Sequence, residues 1–400
     1  MLSGYSVRVS SETPVRPHID VLDGLRAIAI ILVMWLHTWQ LSWIPNYVQF
    51  NGFTLTWAMI PETGFLGVEL FFFISGFCLF YPYARHVLEG TPLPTLRGYA
   101  YRRAIKILPS YWLAVAVLVA IAPFATFHDW VWQLGTHLAF VHNWWMDTEN
   151  TINGVFWSLA VEVQFYVVFP LICWAFRRKP LVAWALLCAT ALGWRFYIDS
   201  QFPAGDAPWL LNQLPGYLDF FGTGMLAAYA LTAWRPKLNR PWLCTGLAVA
   251  GFAAFGLLTY DLYQPRYTMP FWPCGWQVEH RTYLALAFFV ITLASAGAHK
   301  AWRVLLANPM LAFLSTISYN LYIWHQVIAR YLYQHHIPAP RTADPHGDPT
   351  WQWQYMLLAF GGSIVVSALI TYVFERPLLK HGLWWPRRRT APEEQVSSAA

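Results

Sequence analysis

Charge is scarce in this sequence. Asp, Glu, Lys and Arg make up 12% of its 400 residues, while 57% are hydrophobic and 18% aromatic. A chain so poor in charge cannot cover two or three water-soluble domains with polar surface, so that class is excluded. The five cysteines, Cys78, Cys173, Cys188, Cys244 and Cys274, are odd in number and scattered, with no C-x-x-C pair. Neither a disulfide framework nor a zinc site follows from them, and no metal is expected. The net charge of +6 does not indicate nucleic acid, because its meaning depends on which loops carry it. The first apolar stretch lacks a small-residue cleavage site, so it is expected to stay in the protein.

What is present is a succession of apolar runs, and they predict an all-α, polytopic membrane protein. Ten transmembrane helices are expected at about 21–41, 65–84, 107–126, 154–176, 181–198, 210–231, 242–260, 282–298, 309–330 and 353–374. The run 130–146, broken by polar and aromatic residues, reads as an interfacial or re-entrant piece. Lys and Arg orient the helices. With the N-terminus inside, twenty of the 26 lie on the inner side; Arg195, Arg266, Arg281, Arg330 and Arg341 lie outside, and Arg26 is within the first helix. Both termini are therefore expected in the cytoplasm. Residues 1–18 are expected to be a short cytoplasmic segment, 19–378 the membrane domain and 379–400 a cytoplasmic, disordered tail.

Two ionisable residues interrupt the first apolar run, Arg26 and His37. Eleven residues at about 100° each bring them to nearly one helix face, and about 1.5 Å per residue sets them about 16 Å apart. Ionisable residues inside a span mark a functional interior. At the same rise, His37, Glu69, Glu162, Asp219 and His325 each lie about 22–26 Å from the inner end of their helices. Five such residues in one outer layer point to a shared, wet cavity. The plainer account is a set of separate interhelical hydrogen bonds, each contributing about 0.6 kcal/mol. At the inner mouth Arg26, Arg102, Arg103 and Lys106 gather, with Arg97 nearby. Positive-inside bias suffices for Arg97. Arg26 lies several residues into an apolar helix, and cations there suit a phosphorylated cytoplasmic ligand. A pantetheine arm matches the gap from Arg26 to His37.

Six blocks follow one another: Leu22-Asp23-Gly24-Leu25-Arg26 with His37; Gly64 to Phe77; Arg102-Arg103 with Lys106 and Pro109; Trp157-Ser158 with Glu162 and Tyr166; Ser318 to His325; and Glu375-Arg376-Pro377. In this order they resemble the acyltransferase 3 family of integral membrane O-acyltransferases. Lys106 stands where a second Arg is usual and loses its bidentate fork. Glu69 stands where Asp is usual. The resemblance implies transfer of an acyl group, most often acetyl from acetyl-CoA, to a hydroxyl. The acceptor would be a sugar of a surface polysaccharide, a lipid-linked glycan or a glycolipid, and the location the bacterial inner membrane. It also implies Arg26 and His37 as the functional pair.

On that reading His37 is a general base, with Glu162 orienting it. Arg26, Arg102, Arg103 and Lys106 hold the donor's phosphates. Glu69, Ser158, Asp219, Tyr319, Asn320 and His325 serve the acceptor, and Tyr319, Asn320 or Trp157 supplies oxyanion donors. In a variant of the scheme, His37 carries the acyl group itself. The expected partners are acyl-CoA, a hydroxylated acceptor and the bilayer. A proton-coupled secondary transporter, with Asp219, Glu162 and His37 relaying protons, is the alternative. Against it stand the lack of a repeat of broken helices and the phosphate-seeking mouth.

Overall fold

Apolar runs with no water to satisfy their backbone must satisfy it internally, as helices. The computed structural model of the chain describes residues 19–121, 126–202, 208–234, 239–267 and 274–381. The segments 1–18 and 382–400, expected in the cytoplasm, lie outside the described residues. Helix α1 (Asp20–Ser42) leads into a hairpin of β1 (Tyr47–Phe50) and β2 (Phe53–Thr56). A single turn, α2 (Met59–Glu62), precedes α3 (Leu66–Glu89), α4 (Leu96–Ile121) and the short α5 (Phe127–Leu138). Then come α6 (Phe156–Arg178), α7 (Pro180–Gln201), α8 (Pro208–Leu211), α9 (Leu218–Trp234) and α10 (Pro241–Tyr263). The chain closes with α11 (Cys274–Gly297), α12 (Lys300–Leu306), α13 (Pro309–Gln334), α14 (Pro349–Leu369) and α15 (Arg376–His381).

The described residues hold eight helices long and apolar enough to cross a membrane. They are α1, α3, α4, α6, α7, α10 and the stretches Lys300–Gln334 and Pro349–Lys380. The other two expected spans correspond to α9, which is only 17 residues long, and α11, which carries Glu279, His280 and Arg281 in its first third. α11 begins eight residues before the expected 282, so Arg281 stands inside a helix rather than in a loop. The hairpin is a second departure from an all-α chain. Its turn is Asn51-Gly52, both with positive φ, the pair that matches the strand twist in two-residue hairpins.

Packing follows from small residues. α9 lies closest to α3 and also meets α7 and α11. A Cβ on Gly76 would stand 2.1 Å from the Phe221 carbonyl oxygen, and one on Gly224 would stand 2.0 Å from that of Phe73. Only glycine at both positions lets the two backbones touch. α1 is wedged between α3 and α13. Two side-chain pairs set its register on α13: Arg26 with Ser315 and His37 with His325. Both numbers rise together, so α1 and α13 run parallel.

Candidate active site

The N-terminal end of that parallel pair opens into a cavity of about 620 Å³. Arg26, Arg103, Lys106, Glu162, Tyr166 and Tyr319 are in its wall, together with Ser75 and Cys78 of α3. Arg26 donates to Ser315 Oγ at 3.2 Å and stands 3.5 Å from Asp23 Oδ1. Ser315 in turn donates to Asp23 at 2.8 Å. The other end of the guanidinium, Nη2, donates to Cys78 Sγ of α3 at 3.6 Å. Lys106 forms an ion pair with Glu375 and lies 5.5 Å from the centre of the Tyr319 ring. Glu375 ends a π-helical segment, Ile370–Glu375, an irregularity frequent at functional sites. Asn320 donates to Glu375 at 2.7 Å and to Thr371 at 2.9 Å. Lys106, Asn320 and Glu375, from three separate sequence blocks, are thus one network. Arg102 instead lies back against Gly98 of its own helix.

The cavity's wall on α13 runs from Ala312 to Tyr322. Tyr322 and Ser158 are joined hydroxyl to hydroxyl at 2.5 Å, and Phe71 meets the Tyr322 ring edge-on at 5.9 Å. One turn further along α13 is His325, fully buried. Its Nδ1 faces two backbone carbonyls, Leu321 at 3.0 Å and Tyr322 at 2.9 Å. Carbonyls only accept, so Nδ1 carries the proton and Nε2 of the neutral ring is an acceptor. His37 Nδ1, 2.9 Å away, therefore donates to it. The lone pair of His37 then sits on Nε2, which has no hydrogen-bond partner among the described residues. An imidazole whose proton is pinned on one nitrogen and whose other nitrogen is open is a positioned base.

A match to the acyltransferase domain profile covers residues 19–372 and takes in both the cavity and the histidine pair. The chain belongs to the acyltransferase 3 family. A Staphylococcus aureus (strain COL) protein provisionally named an O-acetyltransferase is 24% identical over 353 residues, covering 80% of this chain and 52% of its own. The peptidoglycan O-acetyltransferase OatA of Listeria monocytogenes is 22% identical, covering 92% of this chain and 57% of its own. A Komagataeibacter xylinus protein, BcsY, provisionally named a membrane-bound transacylase, is 26% identical, covering 78% and 74%. The chain thus spans about half the length of the first two relatives. No solved structure matches it. Like the family, it is an integral, multi-pass membrane protein.

The acyltransferase fold separates the five ionisable residues that share one depth. His37 and His325 meet. Glu162 does not join them: its carboxylate accepts from Ser75 at 2.9 Å and Tyr166 at 2.5 Å, inside the cavity walled by Arg26. Asp219 is fully buried, 2.7 Å from Arg195 and 2.7 Å from the Thr282 hydroxyl. Glu69 stands 3.5 Å from Arg281, whose guanidinium also donates to Tyr217 and Asn212. These acids are countered by buried arginines and do not line the cavity, so the acceptor roles expected of them lose their footing. The signal was available: Arg195 and Arg281 are lone cations at the depth of two lone acids. Two of the three oxyanion candidates have their donors occupied, and the third, Trp157, is engaged only through its ring. Tyr319 donates to the Ile107 carbonyl at 2.8 Å, Asn320 is in the Glu375 network, and Trp157 stacks on Tyr217.

Outside the spanning helices, His137 of α5 and His142 stack at 4.0 Å with planes 5° apart, both fully buried. Burial lowers His137 to about 4 and His142 to about 3, from 6.5. Their neutral form gives stability that is complete above pH 6.5 and drains away as pH falls through 4 and 3. Glu149, pushed up to about 7 by burial, works in the opposite sense between pH 7 and 4.5. Two imidazoles outweigh one carboxyl, so acidification is expected to lower the thermal midpoint in detergent. His142→Phe is expected to reduce that slope by about 1.4 kcal/mol per pH unit below pH 6.5. A variant with the wild-type pH slope would show the stacked pair has no part in it.

Proposed function

We propose that this chain is a membrane O-acyltransferase, moving an acyl group, acetyl by preference, from acyl-CoA to a hydroxyl of a surface glycan, lipid-linked glycan or glycolipid. One juxtaposition carries the reading. A cavity walled by Arg26, Arg103 and Lys106 lies on the same helix as an imidazole whose Nε2 is open, about 16 Å further along. Arg26 and Arg103 suit the donor's phosphates, and Lys106, held by Glu375, adds a third charge. The pantetheine arm would run along α1 past Tyr322 and Ser158. There His37 Nε2 takes the acceptor hydroxyl's proton as its oxygen attacks the thioester carbonyl. Collapse releases CoA thiolate, which takes the proton back. His325 holds the His37 proton on Nδ1 and faces the charge that develops on the ring.

A ten-span arrangement in the bacterial inner membrane, both ends cytoplasmic, fits this chemistry. α1 and α13 run parallel. α3 and α9 also run side by side, Phe72 meeting Tyr217 and Phe221 while Phe77 meets Gly224 further on. Strict alternation of direction satisfies both relations when α9 and α11 are counted as crossings. The cations of the cavity then face the cytoplasm, where CoA is, and His37 stands in the outer half.

The test is chemical. Cells with and without the protein are compared by mass spectrometry of surface glycans, and purified protein is given labelled acetyl-CoA in a quenched single turnover. Loss of one acetyl mass per site, with label on the acceptor, is the expected result. Label retained on His37 would replace the direct base by a relay. Unchanged glycans, with no acetyl-CoA consumed, would overturn the proposal.

A further inference from the structure

We infer that a separate subsite for the acceptor lies beside His37, formed by Gln326 and Arg330 of α13 over Gly154, and that it takes a hydroxylated sugar carrying an anionic group. The inference deepens the proposed function and rests on it for His37 as the reacting group. The lining of the Arg26 cavity stops at Tyr322 and does not include His37; the donor arm of the proposed function passes Tyr322 to reach it, so an acceptor needs a second approach to His37 Nε2. Gln326 is 7% exposed, and its Oε1 is buried with no hydrogen-bond partner among the described residues. A buried amide oxygen left unpaired is costly, and a donating hydroxyl would end that cost.

Three features converge there. A Cβ on Gly154 would stand 2.9 Å from Gln326 Oε1 and 3.7 Å from Arg330 Nη2, so amide and guanidinium share one bare patch of backbone. That patch is fixed: Asn153 donates to the Ile323 carbonyl of α13 at 2.9 Å. Arg330 is exposed and follows Gln326 by four residues, about one helical turn, and Gln326 directly follows His325, the hydrogen-bond partner of His37. A guanidinium presents a planar fork that fits a carboxylate or a phosphate, and an amide oxygen only accepts. Together they read as one anion contact and one hydroxyl contact beside the base. A neutral sugar would satisfy only the second.

Direct binding tests this apart from turnover. Purified protein in detergent is titrated calorimetrically with methyl glucuronide, glucose 1-phosphate and methyl glucoside, and separately with acetyl-CoA. The anionic sugars are expected to bind about tenfold more tightly than the neutral one. Arg330→Gln should erase that difference, and Arg330→Lys should restore part of it. Gln326→Leu should weaken all three sugars alike, and the acetyl-CoA affinity should stay put. The two anionic probes separate an acidic sugar from a sugar phosphate. No preference in the wild type, no sugar binding, or a preference that survives Arg330→Gln would overturn the subsite. Sugar binding without acetyl-CoA binding would instead remove the donor reading and leave the subsite standing.

Discussion

His37→Ala is expected to lower the turnover of acyl transfer about 10²–10⁴-fold, the range of a positioned general base, with acetyl-CoA affinity unchanged. His325 separates a positioning role from mere packing. His325→Leu keeps bulk but offers His37 Nδ1 no acceptor, so the proton is free to sit on either nitrogen. Loss of the correct tautomer can cost orders of magnitude with geometry otherwise intact. His325→Gln keeps an acceptor oxygen near the place of Nε2 and is expected to recover much of that loss. The expected pattern is a fall in kcat at constant KM for donor, as when an interaction of the transition state alone is removed. Equal activity in the Leu and Gln variants would show that the hydrogen bond at 2.9 Å does not orient the base.

That pair was only partly legible in the sequence. Arg26 and His37 could be put on one face because helical periodicity is a local property, and His325 could be put at the same depth. What no run of residues reveals is angular position around the bundle. Glu69, Asp219 and His325 share a depth, yet α3 and α9 turn their acids toward Arg281 and Arg195 while α13 turns its histidine toward α1. Depth alone therefore suggested one site where the fold, with Glu162 held by Ser75 and Tyr166, builds four separate clusters. Boundaries failed for a related reason. The polar Glu279-His280-Arg281 run reads as a loop until Tyr217, Asn212 and Glu69 are there to receive the Arg281 side chain. The hairpin does leave a signal, Asn51-Gly52 between two runs of β-formers, but four-residue strands are faint beside apolar stretches of about twenty. The glycines Gly76 and Gly224 became meaningful only once two backbones were seen to touch.

The Arg195–Asp219 pair gives the second large expected effect, on stability. Both side chains are fully buried, and Asp219 takes hydrogen bonds from Arg195 and Thr282, each at 2.7 Å. Arg195→Met leaves a carboxylate buried beside one hydroxyl, a change that typically costs about 3–5 kcal/mol. Asp219→Asn leaves the guanidinium uncompensated and is expected to cost a similar amount. The double variant removes both charges, and the amide oxygen introduced by Asp219→Asn can still accept from Thr282, so most of the stability is expected to return. Thermal unfolding in detergent across the four proteins measures the coupling. A purely structural pair predicts that acetyl-CoA affinity, which the proposed function assigns to the Arg26 cavity, is the same in every variant that folds. If Asp219→Asn kept the wild-type midpoint and lost turnover, Asp219 would belong with the histidines after all, and the division of the outer layer into separate clusters would be wrong.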